Sequence, residues 1–260
     1  MLKVAISPCP NDVFIFAGLI LGHVQVNETD LHFDYFDIET LNEKALVGEY
    51  DLMKISYANY PRCAGSYRLL PSGGALGRGV GPLLLTGGAS WNAENEVMVP
   101  GQYTTANFLL DFWVQRSLKK KFVPFNSLYD VLKDKSDAQG VVIHEKRFTY
   151  ADDGLSLIQD LGAYWEEKTG CPIPLGCVIA KKHLDSAALN ECIKQSLAWA
   201  YNNKEEALNL CSRYASDMTP EVMQAHIDLY VNEFSMQLGP AGESAVKFFF
   251  EQIEAKFASA

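Results

Sequence analysis

Residues 86–117 read TGGASWNAENEVMVPGQYTTANFLLDFWVQRS. The first ten are polar and carry two glycines, a composition common in connections between lobes. Glu96–Val99 then restarts an apolar strand pattern, Pro100-Gly101 turns the chain, and a helix is predicted from about Thr105. A polar break followed by a fresh strand-and-helix alternation divides the chain into two β/α sets.

Upstream of the break, strands are predicted at Lys3–Ser7, Leu31–Asp37, Leu52–Ile55, Tyr67–Leu70 and Pro82–Thr86. A helix starts after Asn11 or Asp12 and runs to Gly22, and another covers Thr40–Val47 and stops at Gly48. Downstream, Phe122–Pro124, Val141–Ile143 and Leu155–Gln159 read as strands, with helices at Ser127–Leu132 and Ala163–Lys168. Cys177–Lys181 is the last strand, and from Asp185 the spacing is helical, with the last two helices running to about Phe234 and from about Ala241 to Phe257. The order predicts an α/β protein of two lobes. The larger, discontinuous one takes residues 1–90 plus 177–260, and the smaller takes 91–176. A cleft between two such lobes is the default ligand site.

The composition narrows the function. Of 260 residues, 22 are Lys or Arg and 32 are Asp or Glu, a net charge of −10. That balance speaks against general nucleic-acid binding, which needs clustered cations. The most apolar stretch, Val13–Leu21, is too short to span a bilayer, so no membrane partner is expected. The start, MLKVAISPCPND, lacks the apolar run of a secretory signal, and a cytoplasmic location is expected. Six cysteines in a chain of this size are then expected as free thiols. The oligomeric state stays open, a homo-oligomer included.

Several residues at predicted element ends could carry chemistry. SPCPND, Ser7–Asp12, opens a helix at a strand's carboxyl end, where Asn11 could cap the helix or touch a ligand. KISYANY places Lys54, Ile55 and Ser56 at a similar exit, with Ser56 open to capping or to a ligand hydrogen bond. SGGALGRGVGP holds five glycines but is neither a P-loop nor a dinucleotide fingerprint; a structural crossover is expected, with Arg78 as a candidate contact for an acidic ligand. Thr104 and Thr105 open the predicted helix as caps or as an anion cradle. His144 ends a predicted strand and is either a general base or a hydrogen-bonded packing residue. It is not half of a zinc motif, because His-Glu-Lys-Arg is followed by Phe148. His226 and the other histidines read as surface or packing residues, and Tyr57, Tyr60, Trp91 and Tyr103 as packing before stacking on a flat ligand.

Taken together, SPCPNDVFIF, KISYANY, LPSGGALGRGVGPLLL, PGQYTTANFLL, VVIHEKRFTY and HIDLYVNEFS resemble the 1,4-dihydroxy-6-naphthoate synthases of the futalosine route to menaquinone. The likeness extends from residue 3 to about 245, with Val13 standing where many members carry threonine. It implies a two-lobed fold like type II periplasmic binding proteins, with an interlobe cleft and a hinge of two crossings. It implies a lyase that converts a small carboxylated substrate, cyclic dehypoxanthinyl futalosine, to 1,4-dihydroxy-6-naphthoate and dihydroxyacetone, with no metal or organic cofactor. By this resemblance His144 is the proton acceptor, and Lys54-Ile55-Ser56 and Thr104-Thr105 bind substrate. Two alternatives stand beside it: an enzyme like the chorismate dehydratase of the same pathway, and a non-catalytic solute-binding protein of the same fold.

Overall fold

A computed structural model describes residues 1–27, 29–215 and 218–258. The chain divides into two compact units, residues 1–77 with 174–260, and residues 78–173. Residues 174–176, expected in the second unit, belong to the first, and residues 78–90, expected in the first, belong to the second. The reason is that the strand Leu83–Thr86 finds its partners in the second sheet.

In the first unit, β1 (Leu2–Ile6) leads into α1 (Pro10–Ile20). This helix is buried along nearly its whole length, because PNDVFIFAGLI is apolar on all sides beyond its first turn. Its N-cap is Cys9, with Pro10 at the first helical position, so Asn11 and Asp12 are not caps but first-turn residues. β2 (Leu31–Tyr35), α2 (Ile38–Val47) and β3 (Leu52–Ser56) follow. Asp37 caps α2, and Gly48 closes it in the left-handed conformation at φ 71°. A 3₁₀ turn at Tyr57–Asn59, the short α3 (Tyr60–Cys63), β4 (Tyr67–Leu69) and β5 (Ala75–Gly77) complete the first passage.

The second unit contains β6 (Leu83–Thr86), β7 (Val97–Val99), α4 (Thr105–Val114), β8 (Lys120–Phe122), α5 (Phe125–Asp134), β9 (Gln139–Val142), α6 (Lys146–Thr149), β10 (Ser156–Asp160) and α7 (Leu161–Thr169). Its five-stranded sheet has the order β10-β6-β9-β7-β8, with β9 in the middle. Leu83, Leu85, Met98, Leu128, Leu132 and Val142 form its core.

The chain returns on β11 (Ile173–Lys181). β11 runs antiparallel to β3 and β4, so the first sheet has the order β2-β1-β3-β11-β4, with β5 also paired to β11. Then come α8 (Ser186–Asn202), α9 (Lys204–Tyr214), α10 (Pro220–Tyr230), α11 (Glu233–Met236) and α12 (Gly239–Ala258). The expected helix ending near Phe234 is thus two helices, broken at Asn232, which caps α11. α8, α9 and α10 pack on α1 and close the main core, which includes Phe14, Phe16, Val178, Ile193 and Leu197. Among the described residues no helix is long and apolar enough to cross a membrane.

Candidate active site

The first unit gathers polar side chains at the carboxyl ends of β1 and β3. Asp12 is 2% exposed and accepts from Ser7 Oγ at 2.6 Å and from Asn11 Nδ2 at 2.9 Å. Its Oδ1 lies 2.8 Å from Lys54 Nζ, which also donates to the Gly73 carbonyl at 2.7 Å. A buried charge requires a partner of this kind, and here the two charges cancel within one group. Asn11, its amide oriented by Asp12, presents Oδ1 to His226 Nε2 at 2.9 Å. The proton of that bond is therefore carried by His226 Nε2. His226 is fully buried, so of its two expected roles packing holds and surface exposure does not.

Ser56, the last residue of β3, does not cap the 3₁₀ turn with its side chain. It is held instead by Asn42 of α2, whose Oδ1 accepts from the Ser56 N–H at 2.9 Å and whose Nδ2 donates to Ser56 Oγ at 3.0 Å. The Asn42 carbonyl in turn accepts from Asn59 Nδ2. Burial pushes the neighbouring Tyr57 hydroxyl well above its usual pKa, so it stays protonated and belongs to the core.

In the second unit, Thr104 caps α4. Its Oγ1 accepts from Asn107 N at 3.2 Å and donates to the Gly101 carbonyl at 2.9 Å. Thr105 is buried beside it in the first turn, where backbone N–H groups have no intrahelical acceptor and favour anions. His144 lies two residues beyond the central strand β9 and is half-buried. Its φ is 60°, in the left-handed region that side chains avoid at a cost of about 1–3 kcal/mol. The edge of one ring meets the face of the other between His144 and Phe125, with centroids 5.4 Å apart. The turn after His144 is strapped by Arg147, which donates to the Gly81 carbonyl at 2.6 Å and pairs with Asp160 at 3.3 Å. Arg78 spends its guanidinium on the Gly170 carbonyl at 2.6 Å and on Glu166. Among the described residues no group of three or more His, Cys, Asp or Glu side chains is arranged to hold a metal ion.

A family model described as menaquinone biosynthesis matches residues 2–255. The chain belongs to this family. It is an enzyme of menaquinone biosynthesis. A 1,4-dihydroxy-6-naphthoate synthase of Thermus thermophilus is 44% identical, over 98% of this chain and 94% of the relative. A crystal structure of a protein from Archaeoglobus fulgidus superposes with a TM-score of 0.92 at 30% identity, covering 99% of this chain and 98% of that one. The periplasmic aliphatic sulphonate binding protein of Escherichia coli matches at a TM-score of 0.64, with 10% identity and 96% and 86% coverage. That likeness establishes the periplasmic-binding-protein-like fold alone.

Within this menaquinone-biosynthesis enzyme, the residues singled out from sequence fall into two groups by their bonds. Lys54, Asn11 and Arg78 have side chains engaged inside their own units. Thr104 is likewise engaged as the cap of α4 and Ile55 is fully buried in β3, while Ser56, Thr105 and His144 stand at or just beyond element ends, Ser56 bonded to Asn42. Asp12, Asn42 and Arg147 position other groups through contacts that local sequence does not reveal. The available signal for Asn42 was its place with Leu41 and Ala45 on the buried face of α2. A carboxamide on such a face has to bond to something inside.

Proposed function

We propose that this enzyme is a carbon–carbon lyase that converts cyclic dehypoxanthinyl futalosine to 1,4-dihydroxy-6-naphthoate and dihydroxyacetone, with His144 as the proton acceptor. The observation that carries the proposal is the conformation of His144. A histidine held at φ 60° just beyond the central strand has a sparsely populated backbone conformation of the kind that clusters at active sites. An imidazole titrates near neutrality, so its neutral form can take a proton from a substrate hydroxyl. Loss of that proton starts carbon–carbon cleavage in the retro-aldol sense, and aromatisation to the naphthol drives it forward. The 44% identity to the Thermus synthase supports the same reading.

Ser56 and the Thr104-Thr105 turn supply donors for the substrate's oxygens, its carboxylate among them. Ile55 contributes as part of the β3 exit. Lys54 and Asn11 act indirectly, by fixing the strand ends, and Arg78 by holding the start of the second unit to α7. All six cysteines are free, which suits a reducing compartment, and we place the enzyme in the cytoplasm.

Purified protein incubated with cyclic dehypoxanthinyl futalosine should release dihydroxynaphthoate and dihydroxyacetone in equal amounts. Binding without turnover would replace the lyase with a solute-binding role. Turnover of chorismate instead would replace it with a dehydratase.

A further inference from the structure

We infer that Asn42 makes Ser56 a hydrogen-bond donor toward the substrate, so that this position selects an acceptor oxygen, a carboxylate or an oxyanion. The inference rests on the reading of Ser56 as a substrate contact and adds the residue that sets its polarity. A serine hydroxyl can donate one bond and accept two. Asn42 Oδ1 accepts from the Ser56 N–H, which a carboxamide nitrogen cannot do, so the amide has one orientation. Its Nδ2 is then the group 3.0 Å from Ser56 Oγ, and that contact uses a hydroxyl lone pair. The Ser56 proton is thereby turned away from Asn42 and left to a ligand. Asn42 is itself fully buried, and its Nδ2 also donates to Glu39 Oε2 at 3.3 Å, so both ends of the carboxamide are held in place. Asn42 is a positioning residue: it acts through Ser56.

The discriminating substitution is Asn42→Asp. Aspartate keeps an acceptor for the Ser56 N–H but replaces the donor with a second acceptor. Ser56 would then give its proton to position 42 and offer the substrate lone pairs only. Steady-state kinetics on the wild type, Asn42→Asp, Ser56→Ala and the double variant should show KM raised roughly 10- to 150-fold in each single variant, the factor carried by a hydrogen bond to a charged group. kcat should stay within about threefold, and the double variant should be no worse than either single one, as coupled residues require. Asn42→Leu, which frees the Ser56 hydroxyl without reversing it, serves if the aspartate variant does not fold, and should raise KM by a smaller factor than Ser56→Ala. Calorimetric binding of 1,4-dihydroxy-6-naphthoate then gives the same comparison without turnover. If Ser56→Ala raises KM while the Asn42 variants do not, or if the two effects multiply, the inference is overturned and the Ser56 contact survives. If Ser56→Ala leaves KM unchanged, the Ser56 contact fails and the inference fails with it.

Discussion

His144, the proposed base, is held at φ 60° in the left-handed region. Asparagine tolerates the left-handed region better than most residues, so His144→Asn should keep the fold while removing the base. The expected result is a kcat lower by roughly 10²–10⁴-fold with substrate binding retained, measured by single-turnover kinetics and calorimetry. Near-normal kcat would make the strain at His144 structural. Lys54 poses the opposite case, a candidate binding residue whose charge is spent inside its own unit. Lys54→Met strands the Asp12 carboxylate, and chemical denaturation should show a loss of about 3–5 kcal/mol. Adding Asp12→Asn should recover much of that loss. If both variants are equally unstable, the ion pair is not what Lys54 contributes.

At the scale of elements, the glycine-rich segment after β4 has separate jobs along its length. Gly73 sits at φ 80°, and a side chain there would meet Val178 at 2.7 Å. Gly81 has a different constraint: a Cβ would lie 2.3 Å from the Gly162 backbone, where α7 begins. No rotamer relieves a clash with main chain, so Gly81→Ala should force β6 and α7 apart. A destabilisation of about 1–3 kcal/mol is expected by denaturant titration, the usual cost of overpacking. It should also loosen the Arg147 strap on the Gly81 carbonyl. A variant as stable as the wild type would show that the backbone yields freely here.

For the molecule as a whole, thiol chemistry gives a map of burial. Cys63, Cys177, Cys192 and Cys211 are buried, and Cys9 and Cys171 are partly exposed. Burial pushes the Cys63 thiol up to about 11, Cys211 to about 12 and Cys177 higher still. A raised pKa depletes the thiolate, which is the reactive form, at any pH below it. At pH 8 a thiol reagent should label Cys9 and Cys171 quickly, with the other four reacting only after unfolding in guanidinium. Mass spectrometry that finds Cys63 or Cys211 in the fast class would contradict the packing.

Much of the architecture was legible in the residues themselves. The apolar runs at Lys3–Ser7, Leu52–Ile55 and Val141–Ile143, the stop at Gly48 and the cap at Thr104 are local signals, set by periodicity and by backbone groups that need partners. The first crossing between units lies at residue 77, thirteen residues before the 90 that the polar break suggests. The cause is that an isolated strand such as Leu83–Thr86 does not say which sheet will pair with it. The sites divide in the same way. Six sequence blocks in order were enough to point to the family, and the resemblance brings Lys54, Ile55, Ser56, Thr104, Thr105 and His144 with it as proposed site residues. The partners that orient Ser56, neutralise Lys54 and strap the turn after His144 lie 14, 42 and 66 residues away. Sequence determined which groups could do the chemistry, because residue type and local spacing are properties of the chain. Only the tertiary structure decided which partners within the fold each of them meets, because a hydrogen bond between distant residues exists only once the strands and helices have packed.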